Sequence, residues 1–152
     1  MRYLLDTNIV SDLIRNPQGS VAQHIRMVGE ALVVTSIIVA SELRYGAAKK
    51  ASTRLTAQLE AVLDVVEVLP FGAPADRVYG ALRARLEQAG QVIGGNDMLI
   101  AAQAIAFGLT VVTNNEREFS RIKELRCENW LRQGKAVRRS LLGTTYDRRH
   151  RD

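Results

Sequence analysis

Four short apolar or β-branched runs, Arg2 to Leu5, Leu32 to Thr35, Val65 to Leu69 and Leu109 to Thr113, are separated by stretches with helical periodicity. This alternation constrains the fold more than any other feature. The runs are too apolar to present a wet face, so they belong in a parallel sheet covered on both sides. Between them, Val78, Leu82 and Leu86 recur at helical spacing within Ala75 to Ala89, with Arg83, Arg85 and Glu87 opposite and Gly90 where a C-cap is expected. Ile37 to Lys50 and Arg54 to Leu63 read likewise as helices. Asp97 to Phe107 is apolar nearly all round, ends at Gly108 and is expected to be buried. The fold class is therefore α/β, a three-layer α/β/α sandwich around a mainly parallel sheet.

At 152 residues the chain is of single-domain size and buries roughly 70% of its unfolded surface without a staple. Its longest apolar run, Met98 to Val112, is broken by Gln103 and Thr110 and is too short for a bilayer, so it reads as buried helix followed by buried strand and no membrane partner is expected. An acid at position 6 leaves no room for a signal peptide, and the single Cys127 fits a reducing compartment; the expectation is a cytoplasmic protein. Of the net charge of +5, residues 133–152 carry +4, with six basic side chains against two acids. Any phosphate-binding surface on residues 1–132 is therefore local. Residues 133–152 lack helix or strand periodicity and are expected to form a flexible basic tail behind a single domain of residues 1–132.

In open parallel sheets ligands bind outside the carboxyl ends of the strands. Asp6 follows the first run directly and opens the polar cluster Asp6-Thr7-Asn8, where it is also suited to cap a helix over Ile9 to Arg15. Glu42 lies in the helix after the second run; alone it would read as a solvated side chain. Asp97 opens the most apolar helix, where a carboxylate also suits the positive helix end. The fourth run leads into Thr113-Asn114-Asn115-Glu116-Arg117-Glu118, which reads equally as a turn and helix start. What joins these residues is topology, since all sit at strand exits of one sheet. Carboxylates gathered there repel one another unless a cation neutralises them. With only His24 and His150 in the chain, hard oxygen donors select Mg²⁺, with Mn²⁺ as the alternative, over Zn²⁺.

At this point the residues resemble those of the PIN-domain nucleases, and more narrowly the VapC-type toxins of bacterial toxin–antitoxin pairs. The resemblance covers residues 1 to about 131. It rests on Leu4-Leu5-Asp6-Thr7-Asn8-Ile9, Ser41-Glu42-Leu43-Arg44-Tyr45-Gly46, Ile93-Gly94-Gly95-Asn96-Asp97, Val112-Thr113-Asn114-Asn115-Glu116-Arg117-Glu118-Phe119 and Glu128-Asn129-Trp130. Each motif is weak alone, and their order and spacing together are specific. The resemblance implies that Asp6, Glu42 and Asp97 are the acids of a metal site. Many PIN domains place an aspartate where this chain has Asn115, although a subgroup of VapC toxins shares the Asn-Asn form, so the fourth ligand is open between Asn115, Glu118 and a water. The tail from Gln133 onward has no counterpart in the family pattern.

The activity implied is Mg²⁺-dependent hydrolysis of RNA phosphodiesters, in transfer RNA by family analogy, with inhibition of translation. Asp6 and Asp97 are expected to hold the principal ion and Glu42 and the fourth cluster to support it, while Thr7, Asn8 and Thr113 are candidates to fix the carboxylates by hydrogen bonds. The implied partners are a VapB-type antitoxin, promoter DNA through the antitoxin complex, and a second copy of the chain as a homodimer. A haloacid dehalogenase-type phosphotransferase requires a second aspartate two residues after the first, where this chain has Asn8. A non-catalytic RNA-binding domain of the same fold is the alternative reading.

Overall fold

The computed structural model describes residues 1–131. Five strands form one sheet: β1 (Tyr3–Leu5), β2 (Val33–Ser36), β3 (Glu67–Leu69), β4 (Thr110–Val112) and β5 (Cys127–Glu128). Their spatial order is β3-β2-β1-β4-β5, and every pairing is parallel. The helices are α1 (Thr7–Arg15), α2 (Ser20–Val28), α3 (Ile37–Lys50), α4 (Thr53–Val65), α5 (Ala75–Gln88), α6 (Gly95–Phe107) and α7 (Glu116–Phe119).

From β1 the chain steps outward through β2 to β3, then crosses back by α5 and α6 to β4 on the other side of β1. Parallel crossovers are right-handed, so the two directions of travel put α1 to α4 on one face and α5 and α6 on the other. The packing agrees: α1 touches α2, α3 and α4, while α5 packs chiefly on α6. The connections leaving β1 and β4 diverge. These neighbouring strands therefore flank the crevice where ligands of such sheets bind.

Leu4, Leu5, Val34, Val111 and Val112 are fully buried, as expected of strands with no wet face. Helix α6 buries Met98, Ile100, Ala101, Ala102 and Ala104, and ends at Gly108, whose positive φ of 65° suits a residue without Cβ. Buried Gln103 donates to the carbonyls of Leu69 and Pro70, tying α6 to the end of β3. Among the described residues no helix is long and apolar enough to cross a membrane.

The sheet and the sandwich match the sequence reading, with adjustments at element ends. Val65, read as strand, closes α4, and the backbone N–H of Val66 still bonds to the Val62 carbonyl; β3 starts only at Glu67. Leu32 ends a 3-10 turn at Glu30–Leu32. Two elements were not expected, α2 and β5. Trp130, just beyond β5, is 1% exposed and stacks on His24 of α2 with ring centroids 5.2 Å apart. Residues 133–152, the expected flexible tail, lie outside the described residues.

Candidate metal centre

Asp6 directly follows β1 and caps α1, as the cap reading of this residue expected. Its Oδ1 accepts from the Thr7 backbone N–H at 2.8 Å, and its Oδ2 accepts from the Thr113 hydroxyl at 2.8 Å. The backbone N–H of Asp6 donates to the Val112 carbonyl at 2.9 Å, which fixes the ends of β1 and β4 side by side. Asp6 is 4% exposed, and burial raises its carboxyl above the ordinary value against the lowering effect of both donors. The charge of Glu42 raises it further.

Glu42 lies in the second turn of α3, half-buried, and its Oε2 accepts from the Thr7 hydroxyl at 2.7 Å. It is thus held toward Asp6 by a residue that contacts both carboxylates. Asp97, third residue of α6, makes no capping bond; the N-cap is Gly94. Instead Asp97 Oδ2 accepts from the Asn115 side-chain amide at 3.0 Å, and the same amide donates to Glu118 Oε2 at 3.0 Å. Asn115 precedes α7 and its backbone N–H reaches the Thr113 hydroxyl at 3.0 Å. One continuous web therefore runs from Glu42 through Thr7, Asp6, Thr113 and Asn115 to Asp97 and Glu118.

The second half of the web is electrostatically frustrated. The Asp97 carboxyl is pushed up to about 7 by burial first, then by a hydrogen bond with the Glu118 carboxyl, then by the charges of Asp6 and Glu118. Glu118 is driven in the opposite direction, chiefly by the same bond with Asp97, helped by Asn115 and by the backbone N–H of Gly94. Burial and the neighbouring charges thus favour a proton on Asp97, whereas the carboxyl of Glu118 is lowered. A cation between them would replace that proton.

Thr7 and Thr113 fix carboxylates as their positions suggested. Asn8 instead donates to the Asn114 side chain at 2.7 Å, on the exposed rim. His24, one of the chain's two histidines, is occupied by Trp130 and the Ser20 carbonyl. Gly94, which the sequence reading treated only as part of a helix start, overlies the second carboxylate pair: a Cβ there would stand 3.8 Å from Asp97 Oδ2 and 4.0 Å from Glu118 Oε2. The doubled glycine before Asp97 was its signal.

As a donor set the cluster fits a hard divalent cation. It offers only oxygens, and their mutual repulsion favours neutralisation by positive charge. Among the described residues, however, no three acidic, histidine or cysteine side chains already stand in a ligand arrangement. The acids are held by hydrogen bonds, and the Asn115 amide bridges Asp97 and Glu118.

The model of the PIN domain family matches residues 3–125. The chain belongs to the PIN-domain family. Its relatives include a protein of Rickettsia felis named ribonuclease VapC2, 41% identical over 86% of this chain and 98% of the relative, and the tRNA(fMet)-specific endonuclease VapC of Shigella flexneri, 36% identical over 86% and 98%. Among solved structures, VapBC2 of Rickettsia felis bound to a fragment of its promoter superposes with a TM-score of 0.78 at 39% identity, covering 86% of this chain and 99% of that one. DNA-bound VapBC of Salmonella typhimurium gives 0.79 at 35% identity, covering 86% and 98%. The fold of this PIN domain is thus similar to that found in solved VapBC structures. PIN-domain ribonucleases depend on divalent metal, in accord with an all-oxygen donor set.

Proposed function

We propose that this PIN domain is the ribonuclease toxin of a VapBC-type pair, a Mg²⁺-dependent endonuclease that hydrolyses RNA phosphodiesters, transfer RNA first among them, and so inhibits translation. The observation that carries the reading is the single hydrogen-bonded web joining carboxylates from four separate segments at the crevice between β1 and β4. Asp6 and Asp97 hold the principal ion, and Glu42 and Glu118 flank it. Asn115 donates its amide N–H groups to both neighbouring carboxylates, which leaves only its side-chain oxygen for a metal. In this arrangement its part is to clamp Asp97 and Glu118, and Glu118 is the fourth acid. The chemistry that Mg²⁺, or Mn²⁺ in its place, would supply when held by these acids is activation of a water and neutralisation of charge on the departing 3′ oxygen. Thr7 and Thr113 keep Asp6 and Glu42 from turning away when the ion or substrate leaves.

The relatives' complexes support a VapB-type antitoxin as protein partner and promoter DNA bound through that complex; a homodimer acting in the cytoplasm is part of the same proposal. The function is tested by incubating the purified full-length chain with transfer RNA in Mg²⁺ and in EDTA. Cleavage leaving 5′ phosphate and 3′ hydroxyl ends, in Mg²⁺ only, is the expected result; intact RNA in both, or equal cleavage in EDTA, contradicts it.

The carboxyl shifts give a further expectation. Asp97 rises from its ordinary 3.8 to about 7 on folding, so the metal-free native state keeps a proton that the unfolded chain releases above 3.8. That contribution to stability is complete below pH 3.8 and is lost as pH rises through about 7; the raised Asp6 acts in the same direction. The lowered Glu118 acts oppositely, favouring the fold above its ordinary 4.5, but it is only half-buried and solvent screens it. In EDTA the melting temperature is therefore expected to fall between pH 5 and pH 8. Saturating Mg²⁺ raises it most at pH 8, by binding the native state alone. A pH-independent melting temperature in EDTA would contradict this.

A further inference from the structure

Beside the carboxylates, a groove of about 260 Å³ runs between α1, α3 and α4. Two rows of residues at four-residue spacing line it. Thr7, Ser11 and Arg15 come from one face of α1, and Glu42, Gly46 and Lys50 from one face of α3. Thr7 and Glu42 belong to the catalytic web, so the groove opens out of the metal centre. Eight helical residues further on, roughly 12 Å away, both rows end in a cation. Between the two ends the walls are apolar, with Ile14 and Leu43 half-buried and Leu59 of α4 buried.

Arg15 and Lys50 close their helices, where the dipole favours cations whatever their function. That does not account for Gly46. A glycine inside a helix costs about 1 kcal/mol relative to alanine. Here the protein has no steric need of it, because a Cβ at Gly46 would meet nothing within 4 Å. The missing side chain leaves open space in the middle of the groove, between the acid end and the basic end.

We propose that this groove seats the nucleotide next to the scissile phosphate. Its base lies between the apolar walls over Gly46, and its outer phosphate lies between Arg15 and Lys50. The inference rests on the ribonuclease reading, because a polymer cleaved at the carboxylates must continue over the adjoining surface. Among the described residues Arg15 and Lys50 make no ion pair, so both are available to a phosphate. The oppositely charged ends fix direction: the metal-bearing end takes the reacting phosphate and the basic end the next one.

The test is a titration of a labelled transfer-RNA hairpin, in Mg²⁺, into full-length protein carrying Asp97→Asn, so that cleavage is too slow to consume the RNA during the titration. Adding Gly46→Leu, or Arg15→Ala with Lys50→Ala, is expected to raise Kd about tenfold or more, the scale of a lost base stack or two lost phosphate contacts. Gly46→Ala serves as the folding control and is expected to melt no lower than its parent. Kd unchanged within twofold in the Leu variant and the double variant overturns the proposal. It is overturned equally if these variants lose an antitoxin peptide while keeping RNA, since the groove would then belong to that partner. Failure of the ribonuclease reading shows separately, as wild-type protein that leaves transfer RNA intact in Mg²⁺.

Discussion

Asp6→Asn and Asp97→Asn are each expected to lower kcat on RNA by roughly 10³-fold while raising the melting temperature of the metal-free protein at pH 8. The two effects have one cause. Each carboxylate is buried or half-buried among other carboxylates, and burial is the largest influence raising both. Without metal at pH 8 the charged forms are therefore a burden on the fold, which an amide of the same shape removes. In the reaction the same charges are needed. Loss of an anionic ligand forfeits several kcal/mol of charge stabilisation, and about 4 kcal/mol corresponds to that factor in rate. Asparagine at position 6 also still caps α1 and can accept from Thr7, so loss of activity cannot be ascribed to loss of the helix start. Parallel assays of steady-state cleavage and thermal melting check both halves. Variants that melt lower and lose activity together would indicate a structural role instead.

Thr113→Val is expected to lower kcat by about 10- to 100-fold, the usual scale for a group that orients a metal ligand. The Thr113 hydroxyl is fully buried, donates to Asp6 Oδ2 and accepts from the Asn115 backbone N–H, so it connects the two halves of the carboxylate web. Valine has nearly the same shape but leaves a buried carboxylate oxygen and a backbone N–H without their partner. Thr113→Ser restores the hydroxyl and is expected to recover most of the rate. A valine variant as active as wild type, or a serine variant no better than valine, would remove Thr113 from the account.

How much of this was legible in the sequence depends on the element. β1, β2 and β4 were readable because each is a largely buried apolar or β-branched run, β3 from its apolar neighbours although Glu67 is exposed, and α3 was readable over its full extent, Ile37–Lys50. β5 was not, because a strand of two residues, Cys127 and Glu128, is too short for any periodicity; it is defined by pairing with Val111 and Val112. α2 did carry a signal, with Val21, Ile25 and Val28 on one face, but it starts at Gly19 without a side-chain cap. The convergence of Asp6, Glu42 and Asp97 followed from topology, since Asp6 follows β1, Glu42 lies early in the helix after β2, and Asp97 opens the helix that leads into β4. Their hydrogen bonds did not follow. That Thr7 contacts two carboxylates, or that the Asn115 amide bonds to both Asp97 and Glu118, depends on side-chain directions that no spacing encodes. The groove beyond Glu42 was hidden likewise, because Gly46 gains meaning only once the empty space around it is known.

The central claim is that the acids at the crevice between β1 and β4 hold the catalytic cation. Crystals of the full-length protein soaked in Mn²⁺ and measured at the manganese edge test it most directly. The account predicts an anomalous peak within ligand distance of Asp6 and Asp97, with Glu42 and Glu118 flanking it, lost in the Asp97→Asn variant. A peak elsewhere on the molecule, or none at saturating Mn²⁺ in crystals of protein that cleaves RNA, would contradict it.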